Sequence, residues 1–286
     1  MKVKKSLFGR VLGVDPRVVD DAVVGGLTLR QRSDDSLVFF TSDGRMISFV
    51  PSARGRAPDT VILERLPAAD VELQADGWSI AEGKLLVPGH GFLNLREAPA
   101  QPSNVLAAVR DFPGHLRSSL ARSLRGSPPP LESALADLAR SLKESLVEAA
   151  ERPVLALVGR GMGAFPDGDA AMCGFLLTGR ACETGGRLRA DWHGRLAMEV
   201  RRFLHRTTPV AIAWLRFALE GRTDLFQERL FDAMSRDVET AADVAVDEVI
   251  RNPFFPGMPF LTGVAAALDL VGSDLRQTGS SKNRSI

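Results

Sequence analysis

Near residue 100 the hydrophobic rhythm of this chain changes from strand-like to helix-like, and no single layer of structure can satisfy both periods. Before that point, Leu37-Val-Phe-Phe-Thr41 and Met46-Ile-Ser-Phe-Val50 flank Ser42-Asp43-Gly44-Arg45. Asp-Gly between β-rich runs predicts a hairpin, because Gly accepts the positive φ of a tight turn. Thr60–Leu66, Val71–Ala75, Trp78–Ala81 and Lys84–Val87 continue the pattern, punctuated by Pro67, Gly77, Gly83 and Pro88-Gly89. Strands this short and closely spaced predict an antiparallel β sandwich or barrel-like domain over residues 1–100.

Ala98-Pro-Ala-Gln-Pro102 reads as a linker, and the pattern beyond it is helical. Ser103–Leu124 is helical with a break at Pro113-Gly114. Leu131, Leu135, Leu138, Leu142 and Leu146 mark one face of a helix over Leu131–Glu151. Helices are also expected over Ala170–Glu183, Leu188–His205, Pro209–Gly221, Asp224–Met234, Val238–Ile250 and Phe260–Val271. The fold class is therefore α+β, with a mainly α-helical domain over 103–272 and a polar, flexible tail over 273–286.

Charge narrows the function. With 36 Lys+Arg against 35 Asp+Glu, the chain is no polyanion binder as a whole. Fifteen Phe, three Trp and no Tyr argue against a base-stacking surface, so no nucleic-acid partner is expected. Cys173 and Cys182 make neither a zinc framework nor a disulfide scaffold. His90, His115, His193 and His205 lack metal-ligand spacing. The apolar stretches Pro209–Leu219 and Met258–Gly272 are interrupted by Arg216 and Asp269 and are too short to span a bilayer. The basic start is cut by Arg10 and stopped by Asp15-Pro16, which argues against an export signal. A cytoplasmic protein without cofactor, metal or membrane partner is expected.

One stretch carries chemistry. Val154-Leu-Ala-Leu-Val158 leads into Gly159-Arg-Gly-Met-Gly-Ala-Phe-Pro-Asp-Gly-Asp169 and then into an apolar helix, a glycine-rich strand/turn-to-helix motif. Glycines let a backbone approach a ligand closely, and the free N–H groups and dipole of a helix start favour an anion. Gly159-x-Gly161-x-x-Ala164 also fits the dinucleotide fingerprint. That motif demands a second parallel strand ending in an acid, whereas residues 187–206 are Arg-rich and helical. No Gly-Lys-Ser/Thr follows, so it is not a Walker A loop.

This stretch resembles the AllH-type family, known as a subunit of bacterial oxamate carbamoyltransferase. Its motif is close to G-L-G-P-G-L-T-P-S-G-D-D-F-L-x-G, and Gly159, Gly161, Gly163, Pro166, Gly168, Asp169 and Gly174 stand at matching positions. A second element, T-T-x-I-S-x-x-L-L-x-x-A-x-x-G, is matched by Thr207, Thr208, Leu215, Ala218 and Gly221. The order of a β-rich part, a helical part and a glycine-bearing apolar helix at Gly257–Gly263 also fits. The departures mark a divergent member. Family Thr, Ser and Asp positions of the first motif hold Phe165, Asp167 and Ala170, and the Ser of the second holds Ala211. A late G-H-S/T-S-G-x-D element corresponds to Pro253–Pro259, with His, both hydroxyls and Asp replaced.

The resemblance implies a carbamoyltransferase-type subunit that works with other protein subunits on a small anionic substrate. Carbamoyl transfer passes through an oxyanion, so preorganised N–H donors and cations matter more than a covalent nucleophile. The residues expected to contact ligand are Arg160, Gly161, Gly163, Asp167, Gly168, Asp169, Thr207 and Thr208. Each also has a plain structural reading. Arg160 is a solvated loop cation, Asp167 or Asp169 caps the next helix or holds Mg²⁺ with a phosphate, and Thr207-Thr208 caps the helix that opens at Pro209. Arg195, Arg202 and Arg206 form either an anion-attracting face or a solvated one. Cys173 reads as core packing or as a thiol activated at a helix start. Because the glycine frame persists while polar side chains are lost, the alternative function is a non-catalytic scaffold or binding subunit.

Overall fold

The computed structural model describes residues 7–20, 25–68, 71–102, 106, 108–109, 114–124, 129–144, 147–188, 192–236, 238–252 and 255–281. The chain divides into two compact units, residues 1–104 and 105–286.

The first unit is an eight-stranded, nearly closed, barrel-like sheet. Its strands are β1 (Val11–Val14), β2 (Gly25–Ser33), β3 (Ser36–Thr41), β4 (Met46–Pro51), β5 (Thr60–Leu63), β6 (Trp78–Ala81), β7 (Lys84–Val87) and β8 (Gly91–Asn94), with a short helix α1 (Pro16–Asp20) after β1. They are ordered β1-β5-β4-β3-β2-β6-β7-β8. The β3–β4 hairpin turns at the expected Asp43-Gly44, where Gly44 has φ +80°. All pairs are antiparallel except β4–β5, which is parallel. Alternate residues such as Leu37, Phe39, Ile47, Phe49, Val61, Leu63, Trp78 and Ile80 supply one core. Phe39 stands edge-on to Phe49 at 5.1 Å and tilted against Trp78 at 4.8 Å. Val71–Ala75 is irregular rather than a strand. In its place, the Leu29 N–H donates to the Ala75 carbonyl and the Arg32 guanidinium to the carbonyls of Ala68 and Val71. The longest strand, β2, is polar at Thr28, Arg30, Gln31 and Arg32, so its sequence carries little apolar signal.

The second unit is helical: α2 (Gly114–Ser123), α3 (Pro129–Lys143), α4 (Val147–Leu157), α5 (Asp167–Thr184), α6 (Trp192–Phe203), α7 (Pro209–Glu220), α8 (Leu225–Arg236), α9 (Glu239–Ile250) and α10 (Gly257–Ser281). Its organiser is the α5–α10 crossing. A Cβ on Gly174 would lie 2.1 Å from the Phe260 carbonyl oxygen, and one on Gly263 would lie 1.9 Å from that of Ala171. The two backbones touch there, a distance that only glycine permits. The helix ends follow local chemistry. Asp224 and Gln227 cap the start of α8 reciprocally, each side chain accepting the other's backbone N–H, at 2.8 and 3.1 Å. Gly221 ends α7 in the left-handed region, and the Arg222 N–H closes back on the Phe217 carbonyl.

Three expectations change here. The single helix over Leu131–Glu151 is two helices, α3 and α4, with residues 145–146 between them outside the described residues. The apolar run 154–158 enters the glycine turn from a helix and not from a strand. Pro153, Val154, Leu157 and Val158 are buried while Ala156 is exposed, a helical period too short to read in five residues. The tail expected over 273–286 lies within α10 as far as Ser281, and residues 282–286 are outside the described residues.

Candidate functional site

The glycine turn joins α4 to α5. The Arg160 N–H closes on the Leu157 carbonyl at 3.0 Å, and the Gly168 N–H returns to the Arg160 carbonyl at 2.8 Å. The loop between these two bonds bulges to the surface, where Met162 is 91% exposed. Two glycines make the bend possible. Gly159 has φ +77°, and a Cβ there would lie 2.4 Å from the Arg206 carbonyl oxygen. Gly161 has φ +117° and would collide with the Asp167 nitrogen at 2.8 Å.

Asp169 clasps the base of this loop and is fully buried. Its Oδ1 accepts the Gly159 N–H at 3.0 Å, and its Oδ2 accepts the Thr207 hydroxyl at 2.5 Å. Burial pushes its carboxyl above the usual range, against the opposing effect of those two hydrogen bonds. Thr208 ties in the other side. Its hydroxyl donates to the Ala164 carbonyl and accepts the Ala211 N–H at 3.1 Å, which also caps α7 ahead of Pro209. The residues the sequence singled out in two separate motifs thus meet around one loop. Thr207, Thr208 and Asp169 spend their polar atoms on the protein itself.

Other groups of the loop are left unpaired. The amides of Gly161, Met162, Gly163, Ala164 and Phe165 make no hydrogen bond among the described residues. Arg160 is exposed, and its guanidinium has no ion pair among them. Asp167 is exposed in the first turn of α5, where a carboxylate suits the helix dipole. Neither Asp caps α5 with its side chain, contrary to expectation. Pro166 occupies the capping position, and Asp169 turns back toward Gly159 instead. Gly168 is buried under the end of α4, where a Cβ would lie 2.0 Å from the Leu157 carbonyl oxygen. Cys173 is buried, and burial together with the nearby Asp169 raises its thiol well above the ordinary value, so it is inert packing. On the Arg-rich helix α6, Arg202 is paired with Glu199 at 2.8 Å and Glu151 at 3.5 Å.

Sequence reasoning missed an aromatic cluster beside the loop. The Phe165 ring lies 4.8 Å from Phe255 edge-on and 6.1 Å from Trp214 in a stacked arrangement, and Trp214 lies 5.3 Å from Phe255. All three are buried. Phe165 stands where the resembled motif has Thr, and Phe255 lies in the segment that has lost its His and hydroxyls. Two departures far apart in sequence are therefore neighbours in space. The shared change from polar to aromatic was the available signal. Pro253 and Phe254 of that segment lie outside the described residues.

Residues 157–268 match the model of the family described as oxamate carbamoyltransferase subunit AllH. The AllH match runs from the end of α4 into α10, takes in both motifs, and is the family the sequence resembles. The β unit lies outside it. No curated protein and no solved structure matches the chain. Among the described residues no cluster of His, Cys, Asp and Glu could hold a metal ion, and no helix is long and apolar enough to cross a membrane.

Proposed function

We propose that this chain is a carbamoyltransferase-associated subunit that takes a small carboxylate- or carbamoyl-type anion at the loop 159–169. One observation carries the reading: a run of unpaired amides, Gly161–Phe165, of which the first four belong to exposed residues, next to an unpaired Arg160, on a loop fixed by Asp169. Such donors stabilise anionic oxygen when they are held in place before the ligand arrives. The AllH match supplies the ligand class and the expectation of other protein subunits. Within this reading Arg160 and the amides around Gly161 and Gly163 contact the anion. Asp169, Thr207, Thr208 and the close-packed Gly168 are positioning residues. The exposed Asp167 disfavours a bare anion and suits one that arrives with a cation.

A second reading is favoured by the aromatic cluster. Phe165 and Phe255, packed with Trp214, put buried aromatic rings where the resembled motifs carry polar side chains, as in a scaffold subunit that keeps the fold without turnover. Calorimetry with carbamoyl phosphate and with oxamate separates the two. On the first reading wild-type protein binds one of them, and Arg160→Ala weakens binding about tenfold, the loss of one charge-assisted contact, with an unchanged circular dichroism spectrum. If neither anion binds and the chain instead purifies in fixed ratio with another subunit, the scaffold reading replaces the first.

A further inference from the structure

A groove of about 520 Å³ lies between α3 and α10 and shares no lining residue with the loop 159–169. Leu135 of α3 and Leu270 of α10 are its buried apolar floor, and Ala265 and Ala266 of α10 line its far side. Along α3 the groove is edged by Glu132, Ala136, Ala139 and Lys143, spaced four, three and four apart, so they form one stripe on the helix. Glu132, Ala136 and Lys143 are exposed and Ala139 is half-buried. Two further charges line the groove and both are paired, Arg140 with Asp137 at 2.9 Å and Asp269 with Arg117. Glu132 and Lys143 have no ion pair among the described residues.

The stripe is its own complement when reversed. A half-turn about an axis passing between Asp137 and Leu138 exchanges Glu132 with Lys143 and Ala136 with Ala139. We propose that a second copy of this chain docks here, α3 against α3 and antiparallel, closing a two-fold dimer. Glu132 then meets the partner's Lys143 at one end and Lys143 meets the partner's Glu132 at the other. The alanines between them let the helices approach to about 8 Å, the near limit of helix packing. A two-fold interface must be self-complementary, and the order acid, Ala, Ala, base meets that demand. A foreign helix would require no such symmetry. The dimer stands apart from the anion-binding reading and survives its failure.

Sedimentation velocity of the full chain over a concentration series tests it. The wild type is expected to pass from monomer to dimer. Glu132→Lys places Lys against Lys at both ends and weakens association about tenfold or more. The double variant Glu132→Lys with Lys143→Glu restores it. Ala139→Trp blocks the helix approach and leaves a folded monomer by circular dichroism. A wild type that stays monomeric throughout overturns the proposal. So does a dimer indifferent to Glu132→Lys and Ala139→Trp, or one that the double variant does not rescue.

Discussion

Each unit of this molecule buries a carboxylate, and the two solve that problem differently. In the β unit, Asp59 is 3% exposed and faces a cation: the Arg45 Nε lies 2.9 Å from Asp59 Oδ2. Asp15, also buried, accepts the Asp59 N–H at 3.1 Å, and Arg45 reaches on to the Arg17 carbonyl at 2.8 Å. In the helical unit, Asp169 is held by an amide and a hydroxyl, which are both neutral. Burying an ion costs several kcal/mol, and a cation offsets more of that cost than neutral donors do. Asp59 therefore depends on its partner, whereas Asp169 depends on its protonation state. The first arrangement fixes a turn. The second fixes the glycine loop 159–169 with a group that pH can soften.

Breaking the cation side has the largest expected effect. Arg45→Met leaves the buried Asp59 carboxylate without its charge partner and should cost about 3–5 kcal/mol, read from urea unfolding. A loss under 1 kcal/mol would mean that Asp59 is solvated well enough to stand alone, and the contrast with Asp169 would vanish.

The helical unit's clasp comes next. Asp169→Ala strands the Gly159 N–H and the Thr207 hydroxyl and should cost about 2 kcal/mol. Asp169→Asn keeps both contacts, because an amide accepts at its oxygen and donates to the hydroxyl from its nitrogen. The sign of the pH effect sharpens the comparison. Asp169 has a raised folded pKa, so its stabilisation is full below the unfolded value of 3.8 and fades as pH rises through the folded pKa. Wild type should therefore gain on Asp169→Asn as the solution is acidified toward 3.8, and fall level with it or below at neutral pH. A parallel pair of pH profiles would show that the carboxylate does not feel its burial.

A last test takes the opposite charge in the same unit. The His193 pKa is lowered from 6.5 to about 4 by burial, then by Arg180 and Arg201, and its Nε2 is buried without a hydrogen bond. The folded state resists protonation that the unfolded state accepts. Stability is thus complete above 6.5 and drains as pH falls toward 4. His193→Leu should flatten that part of the urea-midpoint profile. An unchanged slope would assign the acid sensitivity to other groups.

Much of this was readable without coordinates. Alternation in Leu37–Thr41 and Met46–Val50, with Asp-Gly between them, is a local code for a hairpin, and the barrel-like sheet contains it. The Leu stripe from residue 131 is equally local, since helix burial repeats within one element. β2 escaped because its Arg, Gln and Thr hide the period. The loop's components were visible as glycines and as Thr207-Thr208. Their division into unpaired amides and a buried, hydrogen-bonded Asp169 was not, because which lone pair meets which donor depends on residues 38 apart in the chain.

The sequence by itself settled the two kinds of secondary structure and the glycine positions that the α4–α5 bend requires, because period and positive φ are properties of neighbours along the chain. Tertiary structure alone decided that Asp169 is a clasp and that Phe165 and Phe255 share one apolar cluster. It also decided that Gly174 and Gly263 admit two helix backbones to contact. Those outcomes turn on burial and on distances between segments that local chemistry does not encode.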